Sequence, residues 1–297
     1  MRRATYLLTP VLALTLVASG LGACSGDEDA DPASPAATGT TGIDGATTTH
    51  GDESGCTTAE TGPLRIVLIN DDGVTNPAID VLIDSLPDDD DLQLDITVVA
   101  PADERSGTSD TTTPGGATYT ETTTVGGNEA YAVDGFPADA VIVALEELDL
   151  DPHLVVSGIN PGQNFGPVAA ISGTVGAART AVRRDVPALA VSAAFEFDDA
   201  QFEVGAQLAT EWIEERCEEL IEGTYQTDTL DSINLPNCAP EDMGPLQEVP
   251  RATELPDVPE GEDIFESDCD LADPEPPNDV AAVRSGYPAI SPVEPEL

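Results

Sequence analysis

Lysine is absent from this chain of 297 residues, and all ten basic residues are arginine. Against 57 Asp and Glu they leave a formal charge of −47. A field of that sign repels polyphosphate backbones and excludes nucleic-acid binding through a basic surface. A small phosphorylated substrate would need a local positive charge, for which a metal ion is the natural source. Also missing are a Gly-X-Y or heptad repeat and more than one long apolar run, so collagen, coiled-coil and multi-span membrane classes are excluded. No CxxC pair or Cys/His cluster is present, which argues against a zinc site. Gly and Pro number 26 and 25, so loops and tails are abundant around one core of roughly 200 residues.

The long apolar run opens the chain. Met1-Arg2-Arg3 is a short basic region, and Tyr6 to Ala23 is apolar apart from Thr and Ser, with Pro10 inside it. It ends in Leu21-Gly22-Ala23-Cys24. This reads as a signal peptide over 1–24, and more narrowly as a bacterial lipobox with Cys24 as the lipidated mature N-terminus. An ordinary cleaved signal and an uncleaved anchor helix are the alternatives. Removal of Arg2 and Arg3 takes the charge from −47 to −49. Residues 25–62 carry almost no large apolar residue to offset backbone entropy and read as a disordered tether. Such a tether spans about 35 Å, and His50 within it is an improbable ligand. Cys56, Cys217, Cys238 and Cys269 are an even set in an exported chain and predict two disulfides. Three pairings are open.

From Leu64 the texture alternates. Leu64 to Ile69, Ile96 to Ala100, Leu154 to Ser157, Pro187 to Ser192 and Ser232 to Leu235 read as strands. Ala78 to Leu86, Pro137 to Leu148, Ser172 to Arg184 and Phe202 to Ile221 read as helices. The Thr- and Gly-rich stretch 106–134 fits a β-hairpin excursion. The expectation is an α/β fold, a Rossmann-like, mostly parallel sheet covered on both faces, in a domain over 63–297. Its core is 64–236, followed by an irregular acidic segment 237–277 and a C-terminal segment 278–297.

In such folds ligands bind beyond the carboxyl ends of the strands. The first strand ends at Asn70-Asp71-Asp72-Gly73, and the second leads to Arg105-Ser106-Gly107-Thr108-Ser109. The third runs into Ser157-Gly158-Ile159-Asn160 and then Gly162, Asn164 and Gly166, followed by Ser172-Gly173-Thr174 at a helix start. Adjacent carboxylates with hydroxyl and amide oxygens form a hard, all-oxygen donor set suited to Mg²⁺ or Mn²⁺. A Ser-Gly-Thr turn opening a helix presents N–H groups to an anion. Metal and anion cradle together indicate phosphoryl chemistry.

The segments IVLINDDGV, VVAPADERSGTS, GFPADAV, LVVSGINPGQNFG and ISGTVGAA, in this order, resemble the SurE family of metal-dependent nucleotidases and phosphatases. The resemblance covers Leu64 to Ser192 and continues weakly through Ser232 to Pro236 and Asn278 to Val293. It implies hydrolysis of nucleoside monophosphates and other phosphomonoesters, one divalent ion per subunit, and a homodimer or higher oligomer. Carried over by position, the metal ligands fall on Asp71, Asp72, Ser106 and Asn160, with Asp71 and Asp72 as the catalytic pair. Phosphate contacts fall on Asn70, Asn164, Ser172, Gly173 and Thr174. Three departures bear on substrate shape: Asn76-Pro77-Ala78 stands for Ala-Pro-Gly, Phe136 for Thr, and Ile171 for Tyr. A lipid-tethered binding protein that keeps the fold without turnover is the alternative reading.

Overall fold

The computed structural model describes residues 62–87, 92–195, 199–259 and 261–296. The expected signal peptide, Cys24, His50 and Cys56 lie outside the described residues. Among the described residues nine strands form one sheet, in the order β3-β4-β2-β1-β5-β6-β7-β9-β8. The central strands are β1 (Leu64–Ile69), β2 (Leu94–Pro101), β5 (Leu154–Pro161), β6 (Ala188–Ala193) and β7 (Leu230–Asn234). All neighbours among these are parallel. The 106–134 excursion contains the expected hairpin, β3 (Thr118–Thr123) antiparallel to β4 (Glu129–Asp134).

The apolar runs alternate between two faces. Ile66 and Leu68 pack on the side covered by α1 (Ala78–Ser85) and α4 (Asp199–Glu222), with Ile79, Leu82, Ala206 and Ile213. Val67 and Ile69 pack on the side covered by α2 (Pro137–Ile142) and α3 (Gly173–Val182), with Val141, Ala177 and Ala181. Burial on both faces is why β1 is a continuous apolar run rather than an alternating one. α3 is rich in small residues because a loop lies directly on it: a Cβ at Gly176 would stand 2.1 Å from the Ser109 carbonyl oxygen.

Two details depart from the sequence reading. The helix expected over Pro137 to Leu148 is α-helical only to Ile142 and continues as a π-turn over Val143–Glu147. The late segment holds a short helix, α5 (Asp279–Arg284), before β9 (Ala289–Val293), and β9 runs antiparallel to β7. The acidic stretch 237–277, expected to be irregular, carries among its described residues one 3₁₀ turn and the two-residue β8 (Gln247–Glu248). It is fastened by a Cys238–Cys269 disulfide. Cys217 is disulfide-bonded as well. A third apolar cluster, with Phe165, Val280, Val283 and Tyr287, seats the C-terminal segment on the loop after β5.

β1 lies between β2 and β5, and the strand order reverses there. The crevice at the carboxyl ends of β1 and β5 is therefore the expected ligand site.

Candidate active site

Asn70 to Gly73 leaves β1 in a tight turn. Asn70 is fully buried; its amide donates to the Gly73 carbonyl at 3.0 Å and its Oδ1 accepts the Gly73 N–H at 3.1 Å. Gly73 has φ of 101°, and a Cβ on it would press against the Asp103 carbonyl at 3.2 Å, so the turn requires glycine. The chain after β2 crosses this turn, with the Arg105 N–H donating to the Asp71 carbonyl at 2.6 Å. The first two predicted segments are thus joined by backbone.

Asp71 is 2% exposed and accepts the Thr174 hydroxyl at 2.7 Å. Burial raises its carboxyl above the usual range, opposed by the hydrogen bonds from Thr174. A Cβ at Gly173 would sit 2.7 Å from Asp71 Oδ2. The opening turn of α3 therefore approaches the carboxylate as closely as glycine allows, placing it at the positive end of the helix. Ser172 caps α3, its Oγ accepting the Val175 N–H at 3.1 Å.

Asp72 carries the decisive observation. Its Oδ2 is buried and has no hydrogen-bond partner. Its carboxyl is pushed up to about 7, first by burial and then by the charges of Asp71 and Glu104. An orphaned carboxylate oxygen beside two other acids is a standing cost that a cation removes. The residues present fit a divalent metal. Asn160 adds a neutral donor: its amide NH₂ donates to the Gly162 carbonyl at 2.6 Å, which leaves Oδ1 free to coordinate. Ser106 is exposed, and its N–H donates to Glu104 at 2.6 Å. Hydrogen bonds from Ser106, hydroxyl first, hold the Glu104 carboxyl below the usual range. Among the described residues no group of three or more His, Cys, Asp and Glu forms a metal cluster, so neutral oxygens would have to complete the donor set.

Asn164 and Thr174 face inward. The Asn164 amide donates to Ser192 Oγ at 2.9 Å and to Thr174 Oγ1 at 3.5 Å, while its N–H donates to Asn234 at 2.6 Å. Thr174 gives its only hydroxyl proton to Asp71. Both side chains brace the carboxylate and the loop through these hydrogen bonds. Asn70, Ser172 and Gly173 remain at the turn and the helix start where an anion would be met. Ala78 is buried at the first turn of α1, Phe136 is half-buried before α2, and Ile171 is 62% exposed one residue before the α3 cap.

Glu104, Ser192 and Asn234 were missed in the sequence. Ser192 and Asn234 lie at the carboxyl ends of β6 and β7, so the strand-end rule that singled out the other segments could have found them. Glu104 sits inside the DERSG segment but is a surface acid by composition; only its approach to Asp72 distinguishes it.

Residues 66–254 match the family described as Survival protein SurE. The chain belongs to the SurE family. It is 33% identical over 254 residues to the 5'-nucleotidase SurE of Parasynechococcus marenigrum, covering 79% of this chain and 92% of that protein. It is 30% identical to the 5'-nucleotidase SurE of Hyphomonas neptunium, covering 79% and 94%. The crystal structure of the SurE protein from Aquifex aeolicus superposes with a TM-score of 0.60 at 25% identity, covering 78% of this chain and 94% of that one. The fold and the order of motifs expected from the sequence are those of this SurE family.

Proposed function

We propose that this SurE chain is a divalent-metal-dependent 5'-nucleotidase that releases phosphate from nucleoside monophosphates. The observation that carries this reading is the buried, unpartnered Asp72 oxygen beside Asp71 at the start of α3. Asp71, Asp72, Ser106 and Asn160 would hold one Mg²⁺ or Mn²⁺. When bound there, the cation supplies positive charge to a phosphoryl oxygen and lowers the pKa of water.

The chain's own residues do the rest. Thr174 fixes Asp71 by hydrogen bond, so that Asp72 is the carboxylate with an oxygen to spare. Asn70 holds the turn rigid, and the Gly173 end of α3 faces the phosphate with its dipole and N–H groups. The Asn164–Ser192–Asn234 braces keep the loop bearing Asn160 in register with β6. A binding protein without turnover is not favoured, because the relatives that this chain resembles over most of its length are named as 5'-nucleotidases and the four positions marked by the resemblance all carry oxygen donors.

The domain division, the tether over 25–62, a lipid on Cys24, an extracytoplasmic location and a homodimer or higher oligomer complete the proposal. The tether, the anchor and the location are supported by the basic and apolar start of the chain, its lipobox-like end and the disulfides of the domain, and the oligomer by the resemblance to the family. Release of inorganic phosphate from nucleoside 5'-monophosphates in added Mn²⁺, abolished by chelation and by Asp72→Asn, is the expected result. Equal release by the Asn variant, or none by the wild type, would overturn the assignment. Mass spectrometry of protein from its native host tests the anchor: a diacylglyceryl Cys24 is expected, and an intact Met1 terminus contradicts it.

A further inference from the structure

Three residues beyond Asn160, Gln163 enters the wall of an aromatic-lined cavity of about 310 Å³, whose other lining residues are Phe195, Asn237, Asp263, Phe265 and Glu266. That volume is at the lower end of small-molecule sites. Its link to the proposed metal site is direct. The Asn160 amide donates to the Gly162 carbonyl at 2.6 Å, and a Cβ on Gly162 would stand 2.5 Å from the Phe195 ring. The aromatic wall thus adjoins the loop that carries Asn160.

The wall is open on one side. Phe195 is 59% exposed, an unusual position for one of only six phenylalanines in the chain. It meets Phe265 edge-on at 5.2 Å and 78°, and Phe265 leans on the buried Phe165 at 5.4 Å. A base can stack on such a platform without sequence of its own being read. The polar lining does discriminate. Gln163 is 1% exposed; its amide NH₂ donates to the Leu235 carbonyl at 3.2 Å, and its Oε1 has no partner. Asn237 donates its N–H to Ser267 at 2.8 Å, and its Oδ1 is also buried without a partner. Both orphaned lining atoms are acceptors, and the other polar lining residues are carboxylates. A ligand that satisfies them must bring hydrogen-bond donors, and the edge of a base offers them as N–H groups.

We propose that this cavity is a nucleobase pocket that selects bases with an N–H donor edge, and that guanine, whose N1–H and 2-amino group lie side by side, fits it best. This deepens the nucleotidase reading and rests on it for the role of the pocket in catalysis. Asp263, Phe265 and Glu266 lie beyond residue 254, where the family match ends, in the acidic segment closed by Cys238–Cys269.

Calorimetric titration of the full chain in chelator, with guanosine, inosine and ribose, tests the pocket without phosphate or metal. Guanosine should bind at least fivefold tighter than inosine, which lacks the 2-amino group, and ribose should not bind. Phe265→Ala and Asn237→Leu, checked for folding by thermal melts, should weaken guanosine binding at least tenfold. In Mn²⁺ the same variants should lower the ratio of kcat/KM for guanosine 5'-monophosphate to that for ribose 5-phosphate at least tenfold, through KM. Equal affinity for guanosine and inosine, no guanosine binding by a chain that hydrolyses its monophosphate, or an unchanged ratio would overturn the pocket. Guanosine binding by a chain that hydrolyses no phosphomonoester would support the pocket and overturn the nucleotidase reading alone.

Discussion

Thr174 Oγ1 donates to Asp71 Oδ1 at 2.7 Å, joining the start of α3 to the end of β1 across 103 positions of sequence. The bond settles which of the two aspartates is held and which is left with a free oxygen. It belongs to the charge-assisted class, worth roughly 1.5–3 kcal/mol.

Thr174→Val removes the donor while keeping the shape of the side chain. Asp71 then loses its orientation, and Mn²⁺ affinity measured by calorimetry should fall about 10–100-fold. Thr174→Ser restores the hydroxyl and should restore most of the affinity. Equal Mn²⁺ binding by the Val variant would show that the hydroxyl is packing, not positioning.

Asp72 makes the metal-free protein sensitive to pH. Its carboxyl is raised from 3.8 to about 7 by burial and by Asp71 and Glu104, so the folded chain holds this proton more tightly than the unfolded chain does. Stability from this group is complete below the unfolded value and is lost as pH rises through about 7. Asp72→Asn cannot ionise. In chelator its melting temperature should exceed that of the wild type, by a margin that widens from pH 5 to pH 8. A constant margin across that range would contradict the linkage.

The strand and helix periodicities were legible because the central strands are buried on both faces, as Leu68 and Ile69 on opposite sides of β1 illustrate. The strand-end rule drew attention to the segments that hold Asp71, Asp72, Ser106 and Asn160, and the resemblance to the family singled out those four within them. The roles inside the site did not follow from that rule. Whether Thr174 faces a ligand or Asp71 depends on a helix end folding back across the sheet, and nothing local encodes that. The 237–277 segment was opaque for a related reason: its fixed points are a disulfide and isolated contacts such as Tyr287 Oη to the Leu271 carbonyl at 3.1 Å, which leave no periodic trace.

Asp279 should be among the residues the fold tolerates losing least. It is 1% exposed and accepts the Gly166 and Ala252 N–H groups, each at 2.7 Å, and that of Val280 at 2.8 Å. One carboxylate thus pins the loop after β5, the stretch after β8 and the start of α5. Asp279→Ala orphans buried donors from separate segments and should cost about 4 kcal/mol. A fall of about 10 °C in melting temperature follows for a domain of this size. A fall below about 2 °C would mean water replaces the carboxylate.

The Cys238–Cys269 bridge, 31 positions apart in sequence, joins stability to substrate choice. By loop-closure entropy a bridge of this span contributes roughly 2–4 kcal/mol. The stretch it closes holds Phe265 and sits beside Asn237, both in the wall of the proposed base pocket. The carboxylates and the α3 start lie outside that stretch and are held by bonds such as Thr174 to Asp71. Replacing both cysteines by serine should therefore lower the melting temperature by several degrees and also act unequally on substrates. KM for guanosine 5'-monophosphate should rise several-fold, while KM for ribose 5-phosphate should change by less than twofold. Parallel rises in both KM values would mean that loosening the acidic segment disturbs the phosphate end of the site, and the division of labour between the two ends would have to be abandoned.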